Sequence, residues 1–322
     1  MPGKLGEFEL ISRFFAPLAT DAAALGLTDD VCLLEQNALF DLAATTDALI
    51  EGVHFLSCDP PHLIARKALR VNLSDLAAKG AQPIGYLLAL SLPRSVDEAW
   101  LEAFASGLAL DQKQFAVSLL GGDTTATPGP LTLAVTALGH VPAGRMIRRA
   151  GAGPGDGVFV SGTIGDAGAG LAILKRELEG GAGAEFLIGR YHLPTPRLGL
   201  GAELLGVASA ALDVSDGLLG DLQHIAEVSR VRITIEAAQI PLSPALRALK
   251  GDGVEAVVRA ATAGDDYEIA FTARSEADAL AAGRRAGVAV TRIGKVDAGE
   301  GVALIDSDGH EIPVKRPGYS HF

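Results

Sequence analysis

A two-domain protein of mixed α/β class is what this sequence predicts, on three observations. Its 322 residues suffice for two domains, each with its own core. Hydrophobic residues make up 48% of the chain but aromatic ones only 5%, which suits layered helices and sheets better than a disulfide scaffold or a disordered chain. Short apolar runs alternate with segments of helical spacing along the chain.

The same composition excludes several classes of function. A net charge of −12 argues against nucleic acid as a partner, since such binding needs a basic surface to displace counterions, and it leaves many acids for divalent cations. Cys32 and Cys58, the two cysteines, lack metal-ligand spacing and read as reduced thiols of a cytoplasmic protein. The first residues carry no signal-peptide apolar core, and Gly, Pro or charge interrupts each apolar stretch before membrane-spanning length. Neither secretion nor membrane insertion is expected.

In the first domain, Leu5, Phe8, Ile11, Phe15 and Leu18 predict an amphipathic opening helix over 5–18. Residues 31–34 and 39–46 read as a hairpin whose second strand ends on Thr45-Thr46-Asp47, after the acids Asp29 and Asp30. Glu51-Gly52-Val53-His54-Phe55 is a polar loop whose histidine is either packed or in contact with a ligand. A helix started by Pro60-Pro61 and running to about Lys79-Gly80 aligns Ala68, Asn72 and Asp75 beside the stripe Leu69, Leu73 and Leu76, leaving Asp75 an acid near an apolar stripe. Residues 84–92 form a strand apolar enough for burial on both faces. Ser95 and Glu98 make a capping box for a helix whose core face is Trp100, Leu101, Phe104 and Leu108. Residues 117–120 then lead into Gly121-Gly122-Asp123-Thr124-Thr125, read as a strand ending in a glycine turn. That turn is either ordinary or one that holds a phosphate and its metal. Residues 131–138 return as a strand.

Glycine, proline and the cluster Arg145, Arg148 and Arg149 over 142–157 mark a boundary, dividing the chain into 1–142 and 143–322. An arginine there either clamps a phosphate or is solvated. Beyond it, residues 158–160 run into Ser161-Gly162-Thr163-Ile164-Gly165-Asp166, a second glycine turn. Neither the P-loop nor the dinucleotide fingerprint occurs, which disfavours both kinds of nucleotide site. A helix is expected over 197–211, and Leu212-Asp213-Val214-Ser215-Asp216-Gly217 repeats the strand-end pattern. The following helix should bury Leu218, Leu222, Ile225 and Val228 and carry Asp221 as a dipole partner. Ala263-Gly264-Asp265-Asp266-Tyr267-Glu268 is a ligand edge or a solvated turn. Asp308-Gly309 turns a last hairpin, and Tyr319 and Phe322 can fold over a site.

Asp30, Asp47, Asp75, Asp123, Asp213 and Asp216 are far apart in sequence, yet most terminate strands or open turns. In layered α/β domains strand ends gather on one rim. Converging carboxylates stay ionised only with cations, and hard oxygen ligands of this kind select Mg²⁺. Several Mg²⁺ ions beside glycine turns define a phosphoryl-transfer site, where alignment and charge neutralisation carry the chemistry.

The ordered set Thr28-Asp29-Asp30, Thr45-Thr46-Asp47 through Glu51-Gly52-Val53-His54-Phe55, Asn72-Leu73-Ser74-Asp75, Gly121-Gly122-Asp123-Thr124-Thr125, Asp213-Val214-Ser215-Asp216-Gly217 and Tyr319-Ser320-His321-Phe322 resembles the thiamine-monophosphate kinase family over nearly the whole chain. Pieces are shared with aminoimidazole ribonucleotide synthetase, selenophosphate synthetase and a hydrogenase maturation factor; His54-Phe55 and the tail favour the thiamine enzymes. The resemblance implies ATP-dependent phosphorylation of thiamine monophosphate to thiamine diphosphate, with no general base assigned. It also implies an aminoimidazole-ribonucleotide-synthetase-like fold. There the N-terminal domain binds ATP and magnesium and forms a β-barrel across a homodimer interface, and the C-terminal α/β domain closes the active site. On matching positions, Asp30, Thr45, Thr46, Asp47, Asp75, Asp123, Asp213 and Asp216 would hold several Mg²⁺ ions. Gly122, Asp123, Arg149 and Ser215 would contact ATP, and His54, Asp265 and Tyr319 the thiamine substrate. Thr28 stands where the family usually has Gly, and Asp265 where it usually has the longer Glu. Aminoimidazole ribonucleotide synthesis and a non-catalytic Mg-nucleotide-binding role remain as alternatives. Selenophosphate synthesis is disfavoured, because no Cys occupies a glycine-rich N-terminal loop.

Overall fold

The computed structural model describes residues 7–27, 32, 34 and 37–319. The chain divides into two compact units, Met1–Leu76 with Gln82–Ala143, and Ala77–Ala81 with Gly144–Phe322.

In unit 1 the opening helix changes pitch twice. A short α1 (Glu7–Leu10) widens into a π turn (Ile11–Phe15) and tightens into a 3₁₀ turn (Ala16–Leu18). Pro17, which lacks an N–H, sits at the start of that last turn, where a uniform α-helix cannot continue. Phe14, Phe15 and Leu18 are nonetheless buried. The expected first hairpin strand lies largely outside the described residues, and Cys32 and Leu34 belong to no strand. Then come β1 (Phe40–Ile50), α2 (Pro61–Ala78), β2 (Gln82–Pro93), α3 (Glu98–Phe115), β3 (Leu119–Thr127) and β4 (Thr132–Pro142). The cap of α3 is Asp97, whose carboxylate accepts the Trp100 N–H at 2.8 Å. This replaces the expected Ser95 capping box, because the extended cap residue falls two positions later. Leu101, Phe104 and Leu108 are buried as the spacing predicts.

Among the described residues, unit 1 has one four-stranded sheet in the order β1-β4-β2-β3, antiparallel except for the parallel β2–β3 pair. The edge strand β1 has Phe40, Leu42, Ala44, Thr46 and Ala48 exposed on one face. Thr45, Asp47 and Leu49 alternate onto the other face, towards α2. Buried Asp111 of α3 ties α2 down, accepting Arg70 Nε at 2.6 Å and Arg66 Nε at 2.8 Å.

Unit 2 contains β5 (Gly157–Ser161), α4 (Asp166–Leu174), α5 (Ala184–His192), α6 (Leu198–Glu203), β6 (Ala210–Asp213), α7 (Leu218–Ser229) and β7 (Arg232–Glu236). It continues with α8 (Pro244–Lys250), α9 (Val254–Ala261), β8 (Ile269–Ala273), α10 (Glu276–Ala286), β9 (Val290–Asp297) and β10 (Gly301–Ile305). Among the described residues its six-stranded sheet runs β10-β7-β9-β5-β8-β6. Core clusters cover both faces: Val158 and Val160 pack with Leu222 and Ile225, while Phe159 packs with Phe271 and Leu204. This two-sided burial explains why β5 reads as a continuous apolar run. Two expectations fail. The helix over 197–211 is only six residues long, because Ala210 and Ala211 belong to β6. Val228 is 55% exposed on α7, whose buried side is Leu218, Leu222 and Ile225.

Candidate functional site

In unit 1, β1 and α2 assemble one group of the predicted residues. The Thr45 hydroxyl donates to Asp75 Oδ2 at 2.5 Å, and the Asp47 N–H donates to Asn72 Oδ1 at 3.0 Å. Thr45 and Asp47 lie in mid-strand rather than at a strand end, since β1 runs on to Ile50 against β4. Thr46 points to the opposite face, donating to the Val135 carbonyl at 3.1 Å and accepting from Thr136 Oγ1 at 3.0 Å. Asp30 lies outside the described residues.

Gly121, Gly122 and Asp123 also lie inside a strand, so the expected phosphate turn is not a turn. Gly122 pairs with Leu88 on the parallel neighbour, and a Cβ there would be driven into the Leu88 carbonyl oxygen. Close strand approach, not a left-handed backbone, is what requires glycine here. Asp123 shares a row with Ala89, Ala134 and Ala48, on the same face as Thr46 but at the other edge. Three interstrand steps of about 4.8 Å put roughly 14 Å between β1 and β3. One copy of this sheet therefore does not bring Thr46 and Asp123 to a common ion. A cleft of about 840 Å³ follows β2 and β3, lined by Phe15, Leu27, Leu87, Leu120, Gly122 and Asp123 among others. His54 Nδ1 accepts the Ile50 N–H at 3.0 Å, so the neutral ring carries its proton on Nε2.

Unit 2 gathers a second group. Ser215 follows β6, and its carbonyl accepts the Asp265 N–H at 2.7 Å, while the Asp216 carbonyl accepts the Tyr319 N–H at 2.8 Å. Ser215, Asp216, Asp265 and Tyr319 are thus neighbours, with Asp213 at the end of β6. Asp265 and Tyr267 hold φ of +62° and +51°, a left-handed conformation uncommon outside glycine. Arg149 is exposed, and no described hydrogen bond links it to this group. Among the described residues, carboxylate or imidazole ligand atoms lie within 4.8 Å of one another in a set of three only at Asp306, Asp308 and His310. The predicted acids do not converge in this way within either unit. The strand-rim expectation fails because both sheets are mainly antiparallel, so strand ends alternate between rims.

Three buried acids, Asp221, Asp266 and Glu268, have partners other than those the sequence predicts. Asp221, expected only as a dipole partner, accepts through one oxygen the N–H groups of Ser215 at 3.0 Å, Asp216 at 3.1 Å and Gly217 at 3.1 Å. Burial pushes its pKa up to about 7, the Asp216 charge adds to this, and the three N–H bonds oppose it. Asp266 fills the 161–166 turn, its two oxygens accepting the Gly165 N–H at 3.0 and 2.8 Å; burial holds its pKa well above the usual carboxylate range. That glycine turn is therefore closed by the protein itself. Glu268, fully buried, accepts from Arg197 Nε at 2.7 Å, Arg190 Nη2 at 2.8 Å and Ser161 Oγ at 2.6 Å. Asp266 and Glu268 are thus neither ligand edge nor solvated turn. No spacing in a single sequence pairs Glu268 with arginines about 70 residues away.

Family models define the class. The AIR synthase related protein, N-terminal domain, matches residues 28–141, and the AIR synthase related protein, C-terminal domain, matches residues 153–307. A thiamine-monophosphate kinase of Caulobacter vibrioides is 44% identical over 321 residues, 98% of this chain and 90% of that one. A crystal structure of thiamine-monophosphate kinase from Stenotrophomonas maltophilia K279a is 42% identical, covers 96% of this chain and 98% of that one, and superposes with a TM-score of 0.84. AaThiL complexed with AMPPCP and TMP is 33% identical, with coverage of 99% and 97% and a TM-score of 0.78. The chain belongs to the thiamine-monophosphate kinase family.

Proposed function

We propose that the protein transfers the γ-phosphoryl group of ATP to the phosphate of thiamine monophosphate, giving thiamine diphosphate and ADP. The observation that carries this reading is near-full-length identity of 44% to a thiamine-monophosphate kinase. A relative complexed with AMPPCP and TMP supports both substrates. A phosphate oxygen of thiamine monophosphate attacks the γ-phosphorus in line; the new P–O bond forms as the bond to the β-phosphate's bridging oxygen breaks. The attacking monoester is already anionic, so no side chain is needed as a strong base.

The residues present fit magnesium by chemistry: Asp30, Asp47, Asp75, Asp123, Asp213 and Asp216 offer hard carboxylate oxygens, with Thr45 and Thr46 beside Asp47 in sequence. Bound Mg²⁺ supplies neutralisation of phosphate charge. In the N-terminal ATP- and magnesium-binding domain, assigned to 1–142, Gly122 and Asp123 take the nucleotide along the β2–β3 cleft. His54 contacts the thiamine substrate. In the C-terminal α/β domain, assigned to 143–322, Ser215 and Arg149 contact ATP, and Asp265 and Tyr319 the thiamine substrate.

The protein acts as a cytoplasmic homodimer, its N-terminal sheets closing a β-barrel across the interface. Among the described residues β1 and β3 are the edges of the sheet, and Leu39, Phe40 and Leu42 are exposed at 73%, 40% and 54%, an apolar rim that a second copy covers. The wide separation of Thr46 and Asp123 within one sheet supports a second copy as the source of one of them. Among the described residues no helix is long and apolar enough to cross a membrane. ADP release that requires thiamine monophosphate, measured over a panel of phosphate and amide acceptors, tests the reading. Release with every acceptor alike, or with none, would count against it.

A further inference from the structure

We propose that Asp221 is the positioning residue of the turn that presents Ser215 and Asp216, clamping three successive peptide planes. This rests on the functional reading above for what the turn binds. A trans peptide is rigid and planar, with its N–H and C=O pointing in opposite directions. The plane joining Val214 to Ser215 donates its N–H to Asp221, and its carbonyl accepts from Tyr267 N at 2.8 Å. The plane joining Ser215 to Asp216 donates to Asp221, and its carbonyl accepts from Asp265 N at 2.7 Å. The plane joining Asp216 to Gly217 donates to Asp221, and its carbonyl accepts from Tyr319 N at 2.8 Å. One buried carboxylate oxygen thus holds one end of every plane, while the segments carrying Asp265 and Tyr319 hold the others.

The local sequence leaves this task to Asp221. Gly217, at the cap of α7 with φ +128°, has no side chain to satisfy these amides, and a Cβ there would meet the Thr262 backbone at 3.0 Å. Three amides converging on one point form an anion-binding concavity of the type that elsewhere holds phosphate. Here the protein's own carboxylate fills it. Substrate phosphate is therefore recognised by side chains of the turn, and Asp221 sets where the segments carrying Asp265 and Tyr319 anchor.

The test compares full-length wild type, Asp221→Ala and Asp221→Asn, in steady-state kinetics and in amide hydrogen exchange, with formate against chloride at equal ionic strength. Asp221→Ala should lower kcat/KM for thiamine monophosphate by about tenfold or more, as expected for losing charge-assisted hydrogen bonds. Formate, entering the vacated concavity, should restore it several-fold and leave the wild type unchanged. Exchange should quicken at residues 215–217, 265, 267 and 319 and slow again with formate. Wild-type kinetics in Asp221→Ala, or a loss that formate does not relieve, overturns the proposal. Should that variant not fold, Asp221→Asn carries the test, since its neutral oxygen accepts only about half as strongly as a carboxylate: faster exchange confined to those amides supports the proposal, and wild-type exchange overturns it. A wild type that makes no thiamine diphosphate overturns the functional reading instead, and the exchange arms still decide on the clamp.

Discussion

The Thr45 hydroxyl and Asp75 Oδ2 stand 2.5 Å apart, joining the edge strand β1 to helix α2 through two side chains predicted to serve magnesium. Thr45→Val keeps the shape and removes the donor that orients the carboxylate. Partners of this kind are worth about tenfold or more in metal affinity. The Mg²⁺ concentration for half-maximal activity should rise by about that factor, with the thermal midpoint nearly unchanged, as read by a magnesium titration of initial rate beside a melting curve.

The neighbouring glycines should respond oppositely to alanine. At Gly121 an added Cβ meets only the end of the Leu87 side chain, at 3.3 Å, whereas at Gly122 it collides with the Leu88 backbone. Gly121→Ala should be close to neutral, and Gly122→Ala should destabilise by about 3 kcal/mol or more, the upper range for overpacking. Chemical denaturation of both variants decides this.

Asp266 makes stability depend on pH. Its folded-state pKa lies well above the ordinary 3.8, so the unfolded chain binds fewer protons over that interval. The contribution is therefore present below about pH 4 and lost as pH rises towards the folded value. Asp266→Asn, which keeps an acceptor for the Gly165 N–H, should gain stability relative to wild type as pH rises above about 4, in melting curves taken over a series of pH values. Parallel wild-type and variant curves would contradict the assignment.

Glu268 balances Arg190 and Arg197 in the interior of unit 2. Glu268→Gln removes the carboxylate that both largely buried arginines contact directly, and removing one partner of a buried pair costs about 3–5 kcal/mol. Urea unfolding should show a loss of that order, partly relieved when Arg197→Met is added.

The two-domain α/β class, the long helices α2 and α3 and the strands β2 and β4 are legible in the sequence, because each has a sustained period of its own. Residue types were also legible: Asp75 stood out as an acid near an apolar stripe, and structure pairs it with Thr45. Strand ends were not. Thr45-Thr46-Asp47 and Gly121-Gly122-Asp123 mimic turn chemistry but continue as strands, because partners β4 and β2 supply hydrogen bonds and, at Gly122, demand a missing side chain. The long-range ties of Asp221, Asp266 and Glu268 were hidden for a related reason: an acid beside glycine looks solvated until the fold covers it.

Direct product analysis bears most closely on the proposed activity. Full-length protein incubated with ATP, Mg²⁺ and thiamine monophosphate, then resolved by chromatography, should yield thiamine diphosphate and ADP in equal amounts, with Asp47→Asn and Asp123→Asn folded but nearly inactive. ADP without thiamine diphosphate, no product at all, or wild-type turnover in both variants would contradict it.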